Sequence, residues 1–119
     1  MFEQFNGKKF NLIYADPAWQ FSNKKTGGSM KSGAAHHYKS TMSVDELKAM
    51  PIDDIAADDC ILVMWYVGSM PQEALDVVKS WGFTLKNMNG FVWNKLTINN
   101  NPLFGMGFWT RAGSESAII

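Results

Sequence analysis

The chain has 119 residues, of which 46% are apolar and 18% charged, and its 11 basic and 11 acidic residues give a formal net charge of zero. This composition excludes a disordered chain and is typical of one globular domain over residues 1–119. The neutral balance predicts no basic surface of the kind that binds nucleic acid tightly. A single cysteine, Cys60, excludes an internal disulfide, and no apolar run approaches the roughly 20 residues of a membrane helix. We therefore expect a soluble, cytoplasmic protein without a membrane partner.

The first predicted element is a short buried strand over residues 10–15, an apolar run that ends at Asp16-Pro17. Residues 20–37 are dominated by Gly, Ser, Lys and Asn, which predicts a mobile loop. Ser43-Val44-Asp45-Glu46 has the pattern of a capping box, so a short helix should follow to about Met50.

Residues 60–66 are apolar throughout, which predicts a strand buried on both faces, as in a parallel sheet. We expect Ser69 to cap a helix over about residues 70–81, with Gly82 as its stop. Further strands are predicted at residues 83–86 and 90–95 and from residue 116 onward, with a loop at 97–103. Because apolar strands alternate with helices, the predicted fold class is α/β.

The segment Asp16-Pro17-Ala18-Trp19 follows the first strand, and ligands of open α/β sheets bind beyond the carboxyl ends of strands. An exocyclic amine on a nucleobase is a poor nucleophile because its lone pair is delocalised into the ring. A carboxylate such as Asp16 and a backbone carbonyl such as that of Pro17 would localise the lone pair by accepting the two N–H bonds. Trp19 would stack on a base turned out of the helix. The alternative is that Asp-Pro is only a turn, and the residues alone leave both interpretations open.

The chain resembles the family of adenine N6-methyltransferases with an Asp-Pro-Pro-Trp signature, relatives of the eukaryotic messenger-RNA adenosine methyltransferase. The ordered series of similar segments spans nearly the whole chain from residue 10, and its compact spacing is most similar to the phage and bacterial DNA-adenine branch. The resemblance therefore favours DNA over RNA as the substrate, in a bacterial or phage-infected cell. The similar segments are Tyr14 to Trp19, Tyr38 with Thr41-Met42, Ser43 to Leu47, Ile61 to Trp65, Trp81-Gly82-Phe83, Val92 to Lys95 and Gly107 to Ala112. Residues 105–111 are most similar to the phage branch.

The resemblance implies a site and a cofactor. The methyl donor would be S-adenosylmethionine, and Asp16, the Pro17 carbonyl and Trp19 would be catalytic, with Asp16 also against the donor. Residues 20–37 would be a gate over the substrate. The other residues expected to bind substrate are Tyr38, Trp93, Lys95, Arg111 and Glu115.

The resemblance also implies a permuted Rossmann-like sheet. This chain departs from the family's sequence pattern in two ways. Ala18 replaces the second proline of the signature, which affects the rigidity of the loop more than the chemistry. The family continues for several elements past the position of Ile119, and these supply much of the donor pocket. We therefore expect the sheet to be incomplete at its C-terminal side, as the catalytic-loop half of the domain, and the 119-residue chain to bind S-adenosylmethionine weakly or not at all.

Several residues keep two interpretations. Arg111 is suited to a phosphate contact or to an ion pair with Glu115, and Trp93 to the core or to the pocket. Trp65 and Trp81 are expected in the core. His36-His37 has no cysteine or carboxylate at ligand spacing, so no metal site is predicted.

Two functions from different classes follow from these observations. The first is S-adenosylmethionine-dependent methylation of the exocyclic amine of adenine in DNA. The second is a catalytically inactive fragment or subunit that acts as a binding or pairing module. The intact Asp16 and Trp19 favour the first, and the expected lack of a full donor pocket favours the second.

Overall fold

A computed structural model describes residues 1–20, 41–102 and 113–119. It has a four-stranded mixed sheet and two α-helices, so the α/β class is confirmed. The strands are β1 (Phe10–Ala15), β2 (Ala56–Tyr66), β3 (Phe91–Asn94) and β4 (Ser114–Ile118), and the helices are α1 (Val44–Lys48) and α2 (Pro71–Ser80). Short 3-10 turns lie at Glu3–Phe5 and Ile52–Asp54. Among the described helices, none is long and apolar enough to cross a membrane.

The sheet has the order β1-β2-β4-β3. β1 and β2 are parallel, whereas β4 runs antiparallel to both β2 and β3. The parallel pair places the end of β1 beside the end of β2, and β4 brings its first residues to the same end of the sheet, because it runs the opposite way. This arrangement is compatible with a methyltransferase sheet.

One face of the sheet is covered by the two helices along β2 and β4, and the cover does not reach β3. Met64 and Ile118 pair across β2 and β4 and are 0% and 1% exposed, and they belong to a core that includes Val77 of α2 and Leu47 of α1. The indole N–H of Trp81 donates to the Leu47 carbonyl over 2.7 Å, and this buried bond ties the end of α2 to α1. The predicted core position of Trp81 is confirmed by its 5% exposure.

The other face, which we call the open face, is apolar and largely uncovered by the described residues. Side chains that alternate along a strand and pair across strands lie on the same face, which assigns its members. The members that are more than half exposed are Leu12, Tyr14, Ile61, Phe91 and Trp93. The prediction that the strand at residues 60–66 is buried on both faces is therefore wrong for Ile61, which is 57% exposed.

The helix starts show where local sequence was informative. Both hydrogen bonds of the capping box at Ser43 and Glu46 are present, each 3.1 Å long, as predicted. Ser69 does not cap α2, because the N-cap residue is Met70, without a side-chain bond, and Pro71 takes the first helical position. Gly82 has a φ of +87°, a left-handed conformation that suits glycine at the end of a helix.

Four of the five predicted strands are present, although the bounds of β2, β3 and β4 differ from the prediction. β2 begins at Ala56 and β4 at Ser114, both earlier than predicted. Residues 83–86 form no strand, which corrects the prediction there. The amides of Lys86 and Asn87 both donate to the backbone oxygen of Ile119, over 2.8 and 2.7 Å, so this segment contacts the residue that follows β4.

Candidate active site

Asp16 lies at the edge of the open face. It follows the last residue of β1, and it shares a face with Tyr14 because side chains alternate along a strand. Ala15 pairs with Met64, so Asp16 lies next to Trp65 at the carboxyl ends of the two parallel strands. A shallow cavity of about 280 Å³ opens here, lined by Tyr14, Asp16, Trp65, Trp93 and Glu115.

The cavity has an acidic side and a cation held on its rim. Trp93 pairs with Glu115 across β3 and β4, which brings Glu115 to the cavity. The Lys95 ammonium lies 2.8 Å from a Glu115 carboxylate oxygen and 5.0 Å from the centroid of the Trp93 ring. Lys95 is therefore held by an ion pair and by the face of an aromatic ring.

The carboxyl group of Asp16 has a raised pKa. Partial burial of the carboxyl is the larger cause, because it disfavours the charged form, and the nearby negative charge of Glu115 is the second. Much of the Asp16 residue is nevertheless exposed, so a substrate can reach it. A carboxylate with a raised pKa in a cavity is a recognised mark of a functional group, although ion-pair networks produce it too.

The Pro17 carbonyl accepts a hydrogen bond from the Trp19 amide over 2.8 Å, which closes a tight turn after Asp16. A carbonyl oxygen has two lone pairs, so this bond leaves capacity for a second donor. The turn is fixed further by the Met42 amide, which donates to the Ala18 carbonyl over 2.9 Å.

Trp19 lies in the core rather than on a surface that a base could reach. It is 4% exposed, and its indole N–H donates to the Trp65 carbonyl over 2.9 Å. This position differs from the predicted stacking role, because the ring is covered by the core that α1 and α2 build. In the described structure Trp19 fastens the Asp16 turn to the end of β2.

The structure brings together only part of the predicted site. Asp16, Trp93, Lys95 and Glu115 lie around one cavity, from three different strands or their ends. Of the two interpretations of Trp93, its 55% exposure and its place in the cavity favour the pocket. The predicted positions Tyr38 and Arg111, and all but the first residue of the loop 20–37, lie outside the described residues.

Two cavity residues were missed from the sequence. Tyr14 was placed in a strand and in the signature-like segment but was given no role in the site. Trp65 was expected in the core, whereas it is half-buried and lines the cavity. The strand period held the signal for Tyr14, since it lies two residues before Asp16 and must share its face. The place of Trp65 in the cavity follows from the register between β1 and β2, and the sequence does not specify that register.

The architecture and the acidic cavity beyond parallel strands are those of an α/β enzyme domain, and comparison with known proteins specifies the class. The profile of the MT-A70 family matches residues 10–119. This chain therefore belongs to the MT-A70 family, and the resemblance found from the sequence is confirmed.

Two curated proteins are similar to the chain. The type II methyltransferase M.MunI from Mycoplasma sp is 34% identical over 132 aligned residues, which cover 100% of this chain and 54% of M.MunI. The mouse N(6)-adenine-specific methyltransferase METTL4 is 28% identical over 86 residues, covering 63% of this chain and 16% of METTL4. The chain thus spans about half the length of M.MunI and a small part of METTL4.

MT-A70 methyltransferases use S-adenosylmethionine, whose sulfur carries a positive charge. The carboxylates of Asp16 and Glu115 suit the charged end of such a donor. The cavity of about 280 Å³ lies at the lower limit of ligand sites, which typically measure about 300–1,000 Å³, and it is open. The described residues therefore fit the reacting end of the donor and do not enclose all of it.

Proposed function

We propose that this chain methylates the exocyclic amine of adenine in DNA, with S-adenosylmethionine as the methyl donor. The observation that carries the proposal is Asp16, a carboxyl group with a raised pKa at the carboxyl end of β1, inside the segment matched by the MT-A70 profile. The specificity of METTL4 for adenine N6 supports adenine as the base. The likeness of residues 105–111 to the phage branch supports DNA.

Asp16 and Pro17 prepare the amine for reaction. The Asp16 carboxylate accepts one N–H of the amine and the Pro17 carbonyl accepts the other, so that the lone pair of the nitrogen is directed away from the ring. The nitrogen loses a proton when it gains the methyl group that the donor supplies. The raised pKa of Asp16 makes its carboxylate a better acceptor for that proton than an ordinary aspartate.

The remaining residues hold this pair in place and surround the base. Trp19 keeps the turn fixed through its bond to the Trp65 carbonyl, which makes it a positioning residue in this proposal rather than a stacking one. Trp93 and the ion pair of Lys95 with Glu115 form the wall against the base. Tyr38 and Arg111 complete the site in the proposal, as the resemblance implies. Fixed geometry of this kind contributes through proximity and orientation.

Replacement of Asp16 tests the proposal. Asp16→Asn keeps the size of the side chain and removes its charge and its ability to take a proton, so kcat should fall by at least about a hundredfold. The measurement is transfer of a labelled methyl group from S-adenosylmethionine to adenine-containing DNA. Asp58→Asn, an exposed carboxylate toward the other end of β2, is the matched control and should keep full activity. Activity that survives Asp16→Asn would refute the role of Asp16.

The open face favours a second candidate function, that of a catalytically inactive subunit that pairs with another polypeptide. Five large apolar side chains more than half exposed on one sheet face are unusual for a protein that acts alone. The same methyl-transfer assay separates the two candidates, because a pairing subunit would transfer no methyl group whether or not Asp16 is present.

A further inference from the structure

The hydroxyl group of Tyr14 is poised beside Asp16. The indole N–H of Trp65 donates to the Tyr14 oxygen over 2.6 Å. An indole N–H can only donate, so the Tyr14 oxygen is the acceptor in this bond and its own hydrogen is left to point elsewhere. Within residues 1–20, 41–102 and 113–119, no side chain or carbonyl accepts that hydrogen. Tyr14 is 66% exposed and lines the cavity, so its hydroxyl group is accessible from solvent.

Trp65 is held at both ends and so fixes the direction of this donor. The Trp65 carbonyl accepts a hydrogen bond from the buried Trp19 indole over 2.9 Å, and the Trp65 indole N–H donates to the Tyr14 hydroxyl. The chain of bonds from Trp19 to Trp65 to Tyr14 connects the core to the cavity. The bond from the Trp65 indole therefore restrains rotation of the Tyr14 hydroxyl, because the hydroxyl hydrogen must point away from the indole N–H.

Asp16 and Tyr14 together present a defined hydrogen-bond pattern on one face of β1. The Asp16 carboxylate only accepts, and the restrained Tyr14 hydroxyl donates. Adenine displays the complementary pattern around its amine, since the N–H donors of N6 lie beside the ring-nitrogen acceptors N1 and N7. Guanine displays the acceptors O6 and N7 on the corresponding edge, which would place an acceptor against the Asp16 carboxylate.

We propose that Tyr14 is a specificity-determining residue, whose hydroxyl donates a hydrogen bond to a ring nitrogen flanking the adenine amine while Trp65 holds that hydroxyl in place. This inference deepens the proposed function and rests on it for the identity of the base. It makes the Trp65–Tyr14 pair, rather than Trp19, the aromatic part of the recognition surface.

Nucleoside binding tests the inference without any need for methyl transfer. The ligands are adenosine, guanosine and two analogues of adenosine. 1-Deazaadenosine lacks the ring nitrogen N1, and 7-deazaadenosine lacks the ring nitrogen N7. Dissociation constants are measured by ligand-observed NMR for the unchanged protein and for Tyr14→Phe, which keeps the ring and loses the hydroxyl. We expect adenosine to bind more tightly than guanosine, and Tyr14→Phe to weaken adenosine binding by roughly three- to tenfold.

The decisive result is the coupling between the hydroxyl and one nitrogen. One deaza analogue should bind the unchanged protein as weakly as adenosine binds Tyr14→Phe, and that analogue should lose nothing further in the variant. Equal weakening of adenosine and of both deaza analogues by Tyr14→Phe, or the absence of adenosine binding, would overturn the inference. Trp65→Phe frees the Tyr14 hydroxyl without removing it and should weaken adenosine binding less than Tyr14→Phe does.

Failure of this inference can be told apart from failure of the proposed function. If the protein methylates adenine and loses that activity in Asp16→Asn, but Tyr14→Phe shows no coupling to either nitrogen, only the role of Tyr14 is wrong. If the coupling is present and no methyl group is transferred, the recognition surface stands and the proposed function fails.

Discussion

At the scale of single residues, the charges around Asp16 set the conditions under which the site can work. Glu115 lies close enough to raise the pKa of Asp16, while Lys95 neutralises part of the Glu115 charge through a 2.8 Å ion pair. The Lys95 cation therefore offsets part of the effect that the Glu115 charge has on Asp16. Because both are partly exposed, solvent screens these effects, and we expect moderate shifts.

The acid limb of the activity profile should report this balance. The proposed chemistry needs the Asp16 carboxylate, so kcat/KM should fall as the pH is lowered through the pKa of Asp16, and the midpoint should lie above that of an ordinary aspartate. Glu115→Gln removes the like charge and leaves Lys95 unpaired, so both changes lower the pKa of Asp16 and move the midpoint to lower pH. The measurement is kcat/KM for methyl transfer between pH 3.5 and pH 8.

Lys95→Met should shift the midpoint of the pH profile in the opposite direction. It removes the cation and leaves the Glu115 charge uncompensated, so the midpoint should move to higher pH. A midpoint that shifts in the same direction in both variants, or in neither, would show that Asp16 is not the group that titrates.

At the scale of elements, the structure separates the signals that are local from those that depend on the fold. The capping box at Ser43 was predictable because both of its hydrogen bonds lie within four residues. Ser69 has the residue type of a cap and yet lies one position before the actual N-cap Met70. Pro71 explains the difference, because proline favours the first helical position and thereby fixes where α2 begins.

Matched alanine substitutions test the two serines. Ser43→Ala should lower the free energy of unfolding by about 1 kcal/mol, since it removes the acceptor for the Glu46 amide. Ser69→Ala should change it by less than about 0.5 kcal/mol, because no cap bond is lost. Urea denaturation followed by circular dichroism gives both values. Equal losses in the two variants would contradict the assigned N-caps.

The elements also show why the site was only partly predictable. Asp16 and Pro17 were accessible from the sequence because a signature of adjacent residues marks the end of β1. The environment of Trp19 was not, because its burial depends on α1 and on the end of β2, which are 25 or more residues away. Trp65 enters the cavity through the register of β1 with β2, and pairing register is a property of the assembled sheet.

At the scale of the whole molecule, the two faces of the sheet differ sharply. One face is covered by α1 and α2, and the open face leaves Leu12, Ile61 and Phe91 more than half exposed. Parallel strands are normally buried on both faces, so the pair β1 and β2 exposes an unusual amount of apolar surface. The fold class could be predicted from the alternation of elements. The open face could not, because an apolar strand has the same kind of sequence whether one of its faces or both are covered.

The open face should make the chain self-associate. We expect its weight-average sedimentation coefficient, measured by sedimentation velocity, to rise with concentration. Ile61→Lys should reduce that rise, because it places a charge in the middle of the apolar surface. Ile98→Lys is the matched control. Ile98 is 99% exposed in the turn after β3 and is not a member of the open face, so the same change of residue type should leave self-association nearly unaltered. Equal effects of the two variants would show that the association does not use the open face.

The central claim is that the Asp16 site methylates the amine of adenine, and the product nucleoside tests it most directly. DNA of mixed sequence is incubated with the protein and millimolar S-adenosylmethionine, digested to nucleosides and analysed by mass spectrometry. The account predicts N6-methyl-2′-deoxyadenosine as the product, and its absence from a parallel reaction with Asp16→Asn. A methylated cytosine in its place, or methylated adenine formed equally well by Asp16→Asn, would contradict the account.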